Sequence, residues 1–174
     1  MPYERSEKER LLLHPVFLCA VGLLLLNDHA LKPAFPAAWW TGKLSDVAGL
    51  TFFPVLLWVV LLAVIRPLDR SGRRGIALDV VAGLTAVAFT AVQLSSEAAE
   101  VWRWGLGVLQ LPFRWALAAA TSGDWPRLRP VRHTLDDTDL VAVPAVLWGP
   151  LTWRWGRAFR GGGRTAGARR PRGR

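Results

Sequence analysis

Cysteine is almost absent from this 174-residue chain: Cys19 stands alone inside an apolar block, so no disulfide within the chain and no cysteine metal motif can form. Tyrosine and methionine also occur once each, against ten tryptophans, and the 13 acidic residues are outnumbered by 22 Lys and Arg. There is no Gly-x-Ser-x-Gly, no His-Glu-x-x-His and no phosphate-cradling glycine loop. Glu97-x-x-Glu100-x-x-Arg103 approaches an intramembrane metalloprotease pattern, but its acids are not adjacent and no helix supplies the expected inward histidines. The apolar stretches lack the polar stripe that a soluble helix keeps toward water.

What is present is lipid-compatible. Apolar residues make up 52% of the chain, and 47–65 and 76–94 are nineteen-residue stretches that are apolar nearly all round. The fold class is therefore all-α, an integral membrane bundle of about four transmembrane helices. The first span covers 11–26, with His14-Pro15 near its start, where proline is tolerated and His14 serves as a helix-end residue. Its basic flank (Arg5, Lys8, Arg10) resembles that of a signal peptide. Asn27-Asp28-His29, however, follows where small residues precede cleavage, so the reading is a retained helix. The second and third spans are 47–65 and 76–94, and Asp79 lies within reach of headgroups or an arginine.

The fourth span, 140–153, has fourteen residues with Pro144 and Pro150 inside. As an α-helix it covers only ~21 Å of a ~30 Å hydrocarbon core. Between spans three and four, 101–121 is interrupted by Arg103, Gln110, Pro112 and Arg114, which marks an interfacial or re-entrant helical segment, read as a helix pair. Its Trp-Arg alternation also occurs in nucleic-acid grooves, but beside membrane spans it fits headgroups, as do Trp39 and Trp40.

Lys and Arg number three before the first span, two after it, four after the second, five after the third and eight after the fourth. With the N-terminus inside, fifteen fall inside and seven outside, so both termini are expected in the cytoplasm of a cell-membrane protein. Residues 1–10 form the cytoplasmic N-terminus, 11–155 the transmembrane domain, and 156–174 a disordered basic tail drawn to anionic lipid headgroups. Eight of the basic residues lie in the last 21 positions, so the charge of +9 belongs to a tail and nucleic acid is not the expected partner.

This topology puts polar residues of every span on the outer side: Asp28 and His29, Lys43 and Asp46, Glu97 and Glu100, and His133, Asp136 and Asp139. Thr41 to Leu50 also echoes Thr134 to Val143, each reading Thr, three residues, Ser or Thr, then Asp. A true repeat would bring Asp46 and Asp139 together near a local two-fold. Alternatively, Ser45, Asp46, Thr138 and Asp139 are plain helix caps. In the functional alternative, Asp28, His29, Asp46, His133 and Asp139, with Asp136 beside them, hold a divalent metal such as Mg, Mn or Zn, or a phosphate-bearing group. Lys43 contacts that phosphate or pairs with Asp46.

Asn27 to Lys32, Thr41 to Gly49 and Asp136 to Pro144 together resemble segments of small bacterial multi-pass membrane proteins. That resemblance implies a multi-pass fold and brings no activity or site residue with it. Three roles follow. A membrane scaffold or assembly partner, binding other membrane proteins or a second copy through small residues such as Gly49 and Gly83, needs no reactive outer residue. A metal-dependent enzyme acting on a lipid or phosphate substrate needs the outer cluster to converge. A transporter needs charges along a midplane path, and the apolar spans offer almost none.

Overall fold

The computed structural model describes residues 6–36, 38–65, 72–121, 123 and 125–165, with side chains as far as residue 158. The arginine-bearing connection at 66–71, Asp124 and the tail beyond 165 lie outside the described residues. Among those described, all regular structure is helical. Three helices are long and apolar enough to cross a membrane, Pro15–Ala34, Trp39–Val64 and Arg74–Leu94, and they point to a membrane location.

Helix α1 (Glu7–Leu12) starts at Ser6, whose hydroxyl accepts from the Glu9 N–H while the Glu9 carboxylate accepts from the Ser6 N–H. His14 then caps α2 (Pro15–Leu26): its Nδ1 accepts from the Val16 N–H at 3.4 Å, and Pro15 fills the first helical position. The helix does not stop at Asn27. It passes through one π-helical turn (Asn27–Leu31) into α3 (Lys32–Ala34). The 20 residues of Pro15–Ala34 rise ~30 Å, a full hydrocarbon thickness. The span at 11–26 is thereby displaced toward the C-terminus. Its polar end looked like a stop in sequence, but those side chains find partners on the next helix.

That helix, α4 (Trp39–Val64), begins eight residues before the expected 47, so Trp39 to Asp46 are its first turns rather than a connection. Pro54 lies buried inside it and cannot donate to the Leu50 carbonyl, while the Thr51 hydroxyl donates to the Val47 carbonyl at 2.8 Å. Helix α5 (Arg74–Leu94) matches the expected third span. Residues 96–121 form one helix, α6 (Ser96–Thr121), with Pro112 inside it, and not a pair. The expected fourth span is a 3-10 helix (Asp137–Leu147) followed by α7 (Trp148–Thr165), whose last turns occupy the first part of the stretch assigned to the tail.

The chain divides into two compact units, Met1–Ala86 with Ala142–Arg174, and Val87–Val141. In the first, Phe17, Val55, Trp58, Leu62, Leu78 and Trp153 form a buried core. Trp58 is fully buried; its indole N–H donates to the Arg74 carbonyl at 2.9 Å, and its ring meets Trp153 edge-on at 5.2 Å. That bond offsets the cost of taking the Trp58 N–H out of water. Close helix approach occurs at Gly149, where a Cβ would lie 3.0 Å from a Val55 methyl and 3.6 Å from Leu78. Gly49 and Gly83 have nothing within 4 Å of an added Cβ inside the chain.

In the second unit an irregular strap, 125–136, runs antiparallel along α6. The Trp115 indole donates to the Pro126 carbonyl (3.1 Å), Gly107 abuts the Arg129 carbonyl, and Arg103 Nε donates to the Val131 carbonyl (3.1 Å). The Val131 N–H returns a bond to the Arg103 carbonyl at 3.0 Å. Gly107 is glycine because any Cβ there would overlap the Arg129 oxygen.

Candidate functional site

Asn27 is the residue on which the polar end of the first span turns. It is fully buried, and its Nδ2 donates to the Thr41 carbonyl (2.7 Å) and to Ser45 Oγ (2.6 Å). The Ser45 hydroxyl donates onward to Asp28 Oδ1 (3.2 Å), which also accepts from Lys32 Nζ (2.7 Å). A continuous chain of hydrogen bonds thus runs from the π-helical turn to α4 and back. The wide turn makes it possible, because the register slip of a π turn points Asn27 at α4 and leaves Asp28 beside Ser45. Asn27 Oδ1 is buried and has no hydrogen-bond partner among the described residues. His29 shares the turn and is exposed, Lys43 stands over the Trp39 ring at 5.9 Å, and Asp46 is half-buried one position after Ser45.

The second unit holds a parallel arrangement. Gln93, 5% exposed near the end of α5, donates through Nε2 to Asp139 Oδ2 at 3.2 Å, and its Oε1 is likewise buried without a partner among the described residues. His133 Nε2 lies 3.2 Å from the Val92 carbonyl; since a carbonyl only accepts, this nitrogen carries the proton. Asp136 accepts from both the N–H (2.9 Å) and the hydroxyl of Thr138 and so caps the 3-10 helix. Glu100 forms an ion pair with Arg103 one turn on. Ser95 caps α6 by accepting from the Ala98 N–H at 3.2 Å, and its hydroxyl donates to Glu97 at 2.8 Å. The Glu97 carboxyl is held below its usual range, first by its own backbone N–H and then by the Ser95 and Ser96 hydroxyls.

Two expectations are corrected by this geometry. Ser45 and Asp46 do not cap α4, which starts at Trp39 with no side-chain cap, and the 3-10 helix is capped by Asp136 rather than by Thr138 or Asp139. The repeat also fails locally: Thr41 to Asp46 is α-helical, whereas Thr134 to Asp136 is extended strap and Thr138-Asp139 is 3-10 helix. Among the described residues no group of three or more His, Cys, Asp or Glu lies close enough to hold a metal ion. Asp28, His29 and Asp46 belong to one compact unit, and His133, Asp136 and Asp139 to the other.

Sequence reasoning passed over Asn27 as part of a stop signal and Gln93 as the end of a span. The available signal was a single amide at the end of a long apolar run, a residue that hydrocarbon tolerates only with a partner. Comparison of the chain with protein-family models, curated proteins and solved structures gives no match. The class rests on the fold itself: an all-helical protein with three helices able to cross a membrane.

Proposed function

We propose that the chain is a multi-pass protein of the cell membrane, with four spans and both termini cytoplasmic, that acts as a scaffold or assembly partner in the bilayer. The observation that carries this reading is how the polar residues are used: Asn27 and Asp28 tie the π turn to α4, Asp139 ties to Gln93, and His133 to the Val92 carbonyl. These groups are engaged in holding helices and strap in place. Reactive use of Asp28 would first have to release Lys32 and Ser45.

Length supports the fourth span. At ~2.0 Å per residue, the 3-10 portion of 140–153 rises ~16 Å and the α portion adds ~9 Å, so ~25 Å replaces the ~21 Å of an α-helix. Including Asp137 to Asp139 brings it to ~31 Å. The α6 unit fits the interface better than the hydrocarbon, because the strap's irregular backbone needs water for groups that no ladder satisfies. Val101, Val108, Leu109, Phe113 and Leu117 recur at helical spacing on α6 and are all more than half exposed, a face suited to lie on acyl chains.

The test is native mass spectrometry of protein released from nanodiscs, with metal analysis of the same sample. Assembly predicts a complex of fixed stoichiometry, with other membrane proteins or further copies of the chain, and a lower melting temperature in Asp28→Asn and Asp139→Asn. Stoichiometric divalent metal, lost from folded Asp46→Ala and Asp139→Ala, would replace this reading with a metal-dependent enzyme acting on a lipid or phosphate substrate. A strict monomer would also remove it.

A further inference from the structure

The first unit contains an open cleft of about 400 Å3 that none of the residues above accounts for, lined by Gly75, Ile76, Asp79, Trp153, Arg154 and Arg157 among others. Its floor is the start of α5. The Ala77 N–H makes the bond back to the Arg73 carbonyl, which leaves the N–H groups of Gly75 and Ile76 ahead of the first intrahelical acceptor. A 21-residue helix places its positive dipole end there. One wall is the Trp153 indole, only 6% exposed. Its Nε1 lies 3.2 Å from where a Gly75 Cβ would stand, so it is aimed at the glycine that lines the cleft, and it donates to no described residue. Trp58, the neighbouring indole, shows the contrast, since its N–H is bonded to the Arg74 carbonyl.

The remaining wall is cationic. Arg154 Nη2 is held by Asp79 Oδ2 at 3.0 Å, which fixes that guanidinium at the rim, and Arg157 follows one turn later on α7. Two guanidinium groups, one indole N–H and two helix N-terminal amides outnumber the single carboxylate of Asp79, which Arg154 already engages, so the lining is a donor set with net positive charge. From this we infer that the cleft binds a phosphate-bearing anion, with the phosphate oxygens on the Gly75 and Ile76 amides and the Trp153 indole N–H, and with Arg154 and Arg157 closing over it. Gly75 lies in the first turn of a helix able to cross a membrane, the level at which lipid phosphates reside, so a lipid headgroup and a free phosphate are the two sources of this chemistry. The inference is independent of the assembly reading.

The test uses the full chain in detergent. One arm titrates phosphatidic acid, with diacylglycerol as the uncharged control, and counts bound lipid by native mass spectrometry. The other titrates inorganic phosphate and follows the melting temperature. One-to-one phosphatidic acid binding, weakened about tenfold by Arg157→Gln and by Gly75→Ala, establishes a headgroup site; the loss of one charge-assisted contact is of that size. Saturable stabilisation by inorganic phosphate, with the same loss in both variants and no lipid retention, establishes a free-phosphate site. Arg157 is exposed on the surface of α7, so its variant folds even if Gly75→Ala crowds the indole. Binding that is unchanged in both variants, or no saturable binding of either probe, overturns the assignment.

Discussion

Gly107→Ala isolates the contact between α6 and its strap. In an otherwise open helix interior, alanine in place of glycine gains about 1 kcal/mol. Gly105 is such a position, with nothing within 4 Å of an added Cβ. At Gly107, two residues on, the new methyl would overlap the Arg129 carbonyl oxygen and lie 3.2 Å from its carbon and 3.5 Å from Pro130 Cα. These are backbone atoms that cannot rotate aside, so the strap must move, at a cost of about 1–3 kcal/mol. Gly105→Ala is therefore expected to stabilise the unit, and Gly107→Ala to come out less stable than Gly105→Ala by about 1–3 kcal/mol. At 1.4 kcal/mol per tenfold, this is roughly a 5- to 150-fold increase in strap opening. Limited trypsin digestion in nanodiscs reads it directly. Arg127 and Arg132 are exposed, but cleavage needs several residues of strap lifted from the helix, so the cutting rate follows opening. Equal cutting rates and equal melting temperatures in the two alanine variants would show that the strap does not rest on Gly107.

Ser95→Ala removes the acceptor for the Ala98 N–H and is expected to cost about 1 kcal/mol of α6 stability, read by thermal melting; an unchanged midpoint would mean that Ser95 is not the cap. Glu97 has a lowered folded-state pKa, so its contribution is fully present above the ordinary glutamate value of ~4.3 and is lost as pH falls through the depressed folded value. Glu97→Gln should flatten the acid limb of the melting profile in that window, and an identical limb in the variant would remove the carboxylate from the account. Trp58→Phe keeps most of the ring but leaves the Arg74 carbonyl without its indole donor, a loss of about 1–3 kcal/mol in a chemical or thermal melt. Full stability in that variant would show the bond to be dispensable.

The apolar blocks made the helical fold legible, because their length and lack of a polar stripe depend on composition alone. Helix α5, Arg74–Leu94, coincides with the apolar run at 76–94 except for two residues at its start. The first two helices extend past their apolar runs for one shared reason: Asn27, Asp28, Thr41 and Ser45 look like a connection or caps when each is read alone and become helix interior once paired. Pairing across fourteen to eighteen positions leaves no mark in local periodicity. The strap was equally hidden, since Trp125 to His133 carries no strand alternation, and its order comes from carbonyls that meet Arg103, Gly107 and Trp115. Asp136 was legible in principle, because Asp-x-Thr is a local cap pattern, yet the acid-rich run around it obscured which carboxylate would act.

Asn27 decides whether the polar junction serves stability or specificity. Replacing it with leucine removes two hydrogen bonds, each worth about 0.6 kcal/mol between membrane helices. It also removes the buried Oδ1 that has no described partner, a liability of about 1–3 kcal/mol. The two effects nearly offset, so Asn27→Leu should change the melting temperature little. Asn27→Asp has the same shape but loses both donors, and it places a carboxylate in a fully buried position adjacent to Asp28. That variant should lose several kcal/mol or take up a proton on folding. A folded Asn27→Leu protein that no longer forms its complex would mean that the amide fixes the register of the π turn against α4 for the sake of a partner, the use for which buried polar groups are best attested. Collapse of the leucine variant together with the aspartate variant would instead make Asn27 a plain stabilising contact and detach the junction from assembly.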